Sequence, residues 1–174
     1  MRKPVIITGQ TGTGKTAYAM RLAREKGGEL ISADSRQIYK KLTIVTGKDS
    51  EEDNYVHIGH IELDGDRRAD IGYYTNQGIR IWGYDLVDPR THFSAYDYKV
   101  VADHIVRNAI DESSLPIIVG GTHLYLKYLT QDFATTTSPN WDLRNSLERL
   151  DVTSLQSKLR ELDTNMFEEM NNSD

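Results

Sequence analysis

Residues Gly9-Gln10-Thr11-Gly12-Thr13-Gly14-Lys15-Thr16 form G-x-x-x-x-G-K-T directly behind the apolar run Val5-Ile6-Ile7. That order asks for one local structure: a buried strand, a tight loop, then a helix. The glycines let backbone N–H groups curl around an anion, Lys15 adds a point charge, and Thr16 offers a hydroxyl to Mg²⁺. A helix N-terminus completes such a cradle. Thr16, Ala19, Met20 and Ala23 fall on one helical face, and Gly27-Gly28 supplies a stop. The segment from Gly9 to Thr16 is therefore read as a phosphate-binding loop, with Lys15 and Thr16 as its charged and metal-facing members.

Three more strands are expected, at Glu29–Ser32, Gly83–Val87 and Pro116–Val119, each short and largely apolar. The clearest helix begins at Ser94, which forms a capping-box pattern with Asp97 and continues with Val101, Ala102, Ile105 and Ala109 on one face. Alternating strands and helices imply a parallel sheet covered on both sides, an α/β fold of the P-loop NTPase-like kind in three layers. Ligands of such sheets gather at the carboxyl ends of the strands. That rim would unite residues 9–16, Ala33-Asp34-Ser35 and Gly120-Gly121-Thr122.

Residues 49–82 interrupt the alternation and are read as a surface insertion, with the charge run 49–54 solvated and Asp64-Gly65-Asp66 turning a polar hairpin. His57 and His60 lack a third ligand at recognised spacing, so they are read as surface imidazoles. The Asp residues between 64 and 70 lack the EF-hand spacing. After Thr135 only helical patterns remain. Ser138-Pro139 reads as a cap with proline at the first helical position, followed by Leu143, Leu147 and Leu150, then Leu155, Leu159 and Leu162, with a third helix around 166–170. The expected division is a core over 1–132 and an incomplete helical subdomain over 133–174.

Composition narrows the chemistry. The 174 residues include no cysteine, which excludes disulfides, thiolate metal sites and cysteine nucleophiles. Residues 1–132 carry 17 basic and 18 acidic side chains, and 133–174 carry 4 and 8, so the net charge of −5 sits mostly in the tail. A broad nucleic-acid surface is disfavoured, a local one is not. With no long apolar stretch and no signal-peptide pattern, a cytoplasmic chain without membrane contact is expected.

The strings Gly9–Thr16, Leu30-Ile31-Ser32-Ala33-Asp34-Ser35-Arg36-Gln37-Ile38-Tyr39-Lys40 and Pro116-Ile117-Ile118-Val119-Gly120-Gly121-Thr122-His123-Leu124-Tyr125, in this order, resemble the N-terminal part of the tRNA dimethylallyltransferase family. The resemblance implies transfer of a dimethylallyl group from its diphosphate to N6 of the adenosine 3′ to the anticodon, with Mg²⁺ as cofactor. It implies dimethylallyl diphosphate and the tRNA anticodon stem-loop as partners, a monomer, and RNA contacts from Asp34, Ser35, Arg36, Gln37 and Thr122. The helical segment after 138 would then be the start of an RNA-clamping insertion.

The residues fit that chemistry on their own terms. A cradle of Gly9, Gln10, Thr11, Gly12, Thr13, Gly14, Lys15 and Thr16 would stabilise charge on a departing diphosphate. Asp34 would accept the proton that an attacking amine must lose, or else would cap a helix or hold Mg²⁺. Gln37 could read a base edge or, with Arg36, simply cap the next helix. Thr122 could face a phosphate or sugar oxygen or act as an ordinary N-cap. Tyr125, Tyr128 and Trp141 could stack on bases but, standing beside leucines, are read as core aromatics. A small-molecule kinase, a non-catalytic ATP-binding module and an adenylate isopentenyltransferase are the competing readings.

The chain departs from the family pattern where I-G-T-A-K-P is replaced by Ile44-Val45-Thr46-Gly47-Lys48-Asp49, and where a histidine pair before L-I-D is replaced by Gly83-Tyr84-Asp85-Leu86-Val87-Asp88. Family members also continue past the position of Asp174, so a fragment with an open sheet edge is expected.

Overall fold

The computed structural model describes residues 3–48, 54–131 and 140–170. The chain divides into two compact units, Met1–Ala134 and Thr135–Asp174. In the first, β1 (Val5–Ile7) leads to α1 (Lys15–Lys26), β2 (Gly28–Ser32) and a short α2 (Thr43–Thr46). Three strands follow, β3 (Tyr55–Leu63), β4 (Arg67–Asn76) and β5 (Ile79–Trp82). The unit ends with α3 (Ala95–Asp111), β6 (Leu115–Val119) and α4 (His123–Thr130).

All six strands form one sheet in the order β1-β6-β2-β5-β4-β3. The first four are parallel, and β3 and β4 pair antiparallel as an extension beyond β5. This corrects two expectations. The parallel strand next to β2 is Ile79–Trp82, where Leu30 pairs with Ile81 and Ile31 with Trp82, and not Gly83–Val87. Residues 83–87 cannot extend that strand because Gly83 and Asp85 take φ of 86° and 54°, which turns the backbone out of the pleat. Only Val87 makes an isolated bridge, to Tyr39. Nor is the segment before it a surface excursion, since Ala69, Ile71, Tyr74, Ile79, Ile81 and Trp82 are buried. The turn at Asp64-Gly65-Asp66 does join the two hairpin strands, while most of the charge run 49–54 lies outside the described residues. His57 and His60 lie exposed on β3.

Successive strand residues face opposite sides of the sheet. Leu30 and Ile117 pack on Ala19 and Ala23 of α1, whereas Ile31 and Ile118 join a core with Val101, Ala102 and Ile105 of α3 and Leu126 of α4. This is the three-layer arrangement expected from the alternation. Each such aliphatic, withdrawn completely from water, contributes roughly 1.5–3 kcal/mol. Gly27 ends α1 in the left-handed conformation, as the Gly-Gly stop predicts. The α3 capping box is formed in both directions between Ser94 and Asp97. Tyr125 is buried and stacks on Tyr98 with ring centroids 4.1 Å apart, and Tyr128 packs against the same core.

The second unit contains α5 (Trp141–Leu147), α6 (Val152–Leu162) and α7 (Thr164–Glu169). Their N-caps are Asn140, Asp151 and Asp163, each accepting a backbone N–H with its side chain. The expected cap pair Ser138-Pro139 lies outside the described residues. The predicted leucine face is only partly realised: Leu155 and Leu159 are half-buried, but Leu162 is 86% exposed and Leu143 is 53% exposed. Trp141 is half-buried beneath the Arg144 guanidinium. No described helix is long and apolar enough to cross a membrane.

Candidate functional site

The carboxyl ends of β1, β2 and β6 are knitted together by backbone hydrogen bonds. Ala33 N–H donates to Val119 O, Gly120 N–H to Ile7 O, and Thr122 N–H to Ala33 O. The approach is so close that a Cβ on Gly120 would stand 2.3 Å from the Ala33 carbonyl oxygen, so no side chain fits there. This packing explains why glycine stands at position 120 directly after β6 and why the segments around Asp34 and Thr122 meet.

Above this rim lies a cavity of about 510 Å³, within the range of small-molecule sites. One wall is the glycine loop with the start of α1: Thr11, Gly12, Gly14, Lys15, Thr16 and Ala17. The facing wall holds Asp34, Ser35, Arg36 and Gln37, and the third side holds Gly120, Gly121 and Thr122. The three sequence strings singled out above thus share one site. Of the expected cradle residues, Gly9, Gln10 and Thr13 do not line the cavity. They form the back of the loop, where the Gln10 carbonyl accepts from Thr13 Oγ1 at 2.8 Å and from Lys15 Nζ at 2.5 Å. Gly14, in the left-handed conformation at the N-cap of α1, makes no side-chain cap, and the first turn of α1 contains no acidic residue. The amides and dipole of that turn are left for an anion.

Asp34 is half-buried and pinned by its neighbour but one. Its Oδ1 accepts from the Arg36 backbone N–H at 2.9 Å and from Nε at 3.2 Å, and Oδ2 accepts from Nη2 at 3.1 Å. Burial pushes the carboxyl up, but the Arg36 side-chain and backbone hydrogen bonds, its charge, and that of Lys15 outweigh this and hold the pKa below 3.8. Asp34 is therefore a carboxylate at neutral pH.

Thr122 stands at the N-cap of α4 but does not cap it. Its Oγ1 instead accepts from Ser35 N–H at 3.0 Å, tying the β6 loop to the β2 loop. Gln37 is equally committed. Its Oε1 accepts from Ser32 Oγ at 2.6 Å, and its Nε2 donates to the carbonyls of Thr46 and Gly47, each at 3.1 Å. Gln37 thus pins the α2 turn against the cavity, and Arg36 caps no helix, because residues 35–38 form turns.

Sequence reading missed the remaining lining residues Ser32, Gly47, Tyr84 and Val119. It also missed the buried group behind Gly47. Lys48 Nζ donates to Asp85 Oδ1 at 2.7 Å and to the Tyr39 carbonyl at 2.6 Å, and Tyr74 Oη donates to Asp85 Oδ2 at 2.5 Å. The Lys48 side chain is 0% exposed. Lys48 follows the α2 turn, Asp85 follows β5, and Tyr74 belongs to β4. Only the departures from the family pattern at 44–49 and 83–88 hinted at this region. Among the described residues no three His, Cys, Asp or Glu side chains gather to hold a metal ion; His60 pairs with Glu62 at 3.2 Å instead.

A tRNA dimethylallyltransferase of Petrotoga mobilis is 35% identical over 152 residues, covering 87% of this chain and 43% of the relative. The structure of the tRNA isopentenylpyrophosphate transferase of Bacillus halodurans aligns with TM-score 0.61 and 28% identity, over 98% of this chain and 51% of that one. A eukaryotic dimethylallyltransferase acting on tRNA shares the fold at TM-score 0.73 and 23% identity, over 98% of this chain and 38% of that one. The chain thus spans about half the length of the relatives it matches. A family model described as IPP transferase matches residues 37–174, from Gln37 of the cavity wall through the second unit, and the chain belongs to that family.

Proposed function

We propose that this chain carries the donor-binding and proton-accepting half of a tRNA dimethylallyltransferase site. The carrying observation is the single cavity that sets an anion cradle opposite an ionised carboxylate. In this reading the diphosphate of dimethylallyl diphosphate lies against the loop amides, Lys15 and Thr16. The N6 amine of the adenosine 3′ to the anticodon enters from the Asp34 side. As the N6–C1 bond forms, the C1–O bond breaks, and diphosphate departs with the electron pair into the cradle. The N6 proton passes to an Asp34 carboxylate oxygen. A depressed pKa is compatible with that role, because an amine that is bonding to carbon becomes strongly acidic.

The donor set also fits Mg²⁺, which keeps most of its water and rides on substrate phosphates. The Thr16 hydroxyl would hold it, and the ion would supply charge neutralisation on the diphosphate. Ser35, Arg36 and Thr122 are assigned to the RNA side of the cavity, and Gln37 acts there by holding the Gly47 wall. The test is transfer of labelled dimethylallyl from its diphosphate to tRNA, with free AMP as a parallel acceptor. Asp34→Asn is expected to slow transfer by about 10²–10⁴-fold. Transfer at near the unsubstituted rate removes Asp34 as the base, and label on AMP alone replaces tRNA as the acceptor.

A further inference from the structure

Among the described residues only three apolar side chains line the cavity, Ala17, Val119 and Tyr84, and only Tyr84 is large. Its position is over-determined. Gly83 before it has φ 86°, and a Cβ there would stand 2.9 Å from the Ser32 carbonyl oxygen, so the backbone passes tightly over the end of β2. Asp85 after it has φ 54° and is clamped by Lys48 and Tyr74. A non-glycine residue in the left-handed region is strained and persists where the surroundings enforce it. The Tyr84 ring packs against Tyr74 with centroids 5.9 Å apart, is 4% exposed, and belongs to the core cluster of Leu30, Ile81 and Ile117. A rigid aromatic wall therefore separates the cavity from solid core.

Resting on the transferase reading above, we infer that Tyr84 sets the length of the allylic chain that the donor site accepts. A cavity that must take a diphosphate and the edge of a purine leaves its apolar side for a short chain. A five-carbon group fits against Ala17, Val119 and the Tyr84 ring. A ten-carbon group would need the volume that the ring fills. Tyr84 touches the part of the donor that does not react, so it governs selection between donors and not the chemical step.

The experiment measures binding of three unreactive probes by calorimetry: inorganic pyrophosphate, and the thiolo analogues of dimethylallyl and geranyl diphosphate. The readout is the ratio of geranyl to dimethylallyl affinity within each protein, so that any general loss of folding cancels. The unsubstituted chain should favour the five-carbon probe by about 10-fold or more, the discrimination expected of apolar pocket fit. The ratio should rise about 10-fold in Tyr84→Ala, with Tyr84→Leu between. Tyr84→Leu decides alone where the alanine variant does not bind pyrophosphate. An unmoved ratio in a variant that binds pyrophosphate overturns the inference and leaves the transferase reading intact. Binding of pyrophosphate with no gain from either allylic chain in the unsubstituted protein overturns the transferase reading, and the inference with it.

Discussion

The two sides of the cavity are built on opposite principles. The cradle side is exposed and locally coded: eight consecutive residues carry it, and its lysine rests on a carbonyl of its own loop. The Lys48–Asp85–Tyr74 side comes from three separated stretches of chain, is nearly excluded from water, and consists of charges that satisfy one another. The side-chain donors Thr13 and Lys15 of the cradle are held only by the Gln10 carbonyl within the exposed loop, so substitutions there should cost binding and spare stability. The buried side has spent its donors internally, and its substitutions should cost stability first.

Lys48→Met should show the largest effect. Removing one partner of a buried ion pair leaves Asp85 uncompensated and typically costs about 3–5 kcal/mol. Urea unfolding monitored by Trp82 and Trp141 fluorescence should show this, and an unchanged midpoint would end the contrast between the two sides. Lys15→Ala should reverse the pattern. Pyrophosphate affinity should fall by about 10²-fold, as for a lost oxyanion donor, with the unfolding midpoint held, because Lys15 makes only a loop contact.

The smallest effect sharpens the comparison through pH. Asp97 is buried at the start of α3 and accepts from Arg67 Nη1 at 2.8 Å and from Ser94 N–H at 2.8 Å. Burial raises its pKa, but the Arg67 and Ser94 hydrogen bonds and the Arg67 charge bring it below 3.8. A carboxyl whose folded pKa is depressed adds stability that is present above its unfolded value and is lost as pH falls through the folded one. Unfolding free energy should therefore decline below about pH 4, and Asp97→Asn should flatten that decline. A slope that survives the substitution assigns it to other carboxylates.

How much of this was legible in the sequence depended on how local the cause was. The turn from β1 into α1, the Gly27 stop and the Ser94 capping box each depend on residues within a turn or two, and each stands as expected. The sequence pattern places a strand at 83–87 where the structure has 79–82, because both stretches are short apolar runs and only the backbone turn at Gly83 and Asp85 separates them. The hairpin was recognised at its turn but read as solvated, since alternation along β4 looks the same whether its apolar side meets a core or water. Leu162 satisfied helical periodicity and is nonetheless exposed in its short helix.

The sequence by itself determined that a glycine-rich loop joins the first strand to the first helix and that the Asp34 and Thr122 strings belong beside it, because strand–loop–helix grammar and parallel topology send those loops to one rim. Only the tertiary structure decided what closes the far side of that rim. Lys48, Tyr74 and Asp85 are ordinary surface-compatible residues until the chain brings them within hydrogen-bonding distance, where low exposure turns three polar side chains into one fixed wall and holds Tyr84 against the cavity.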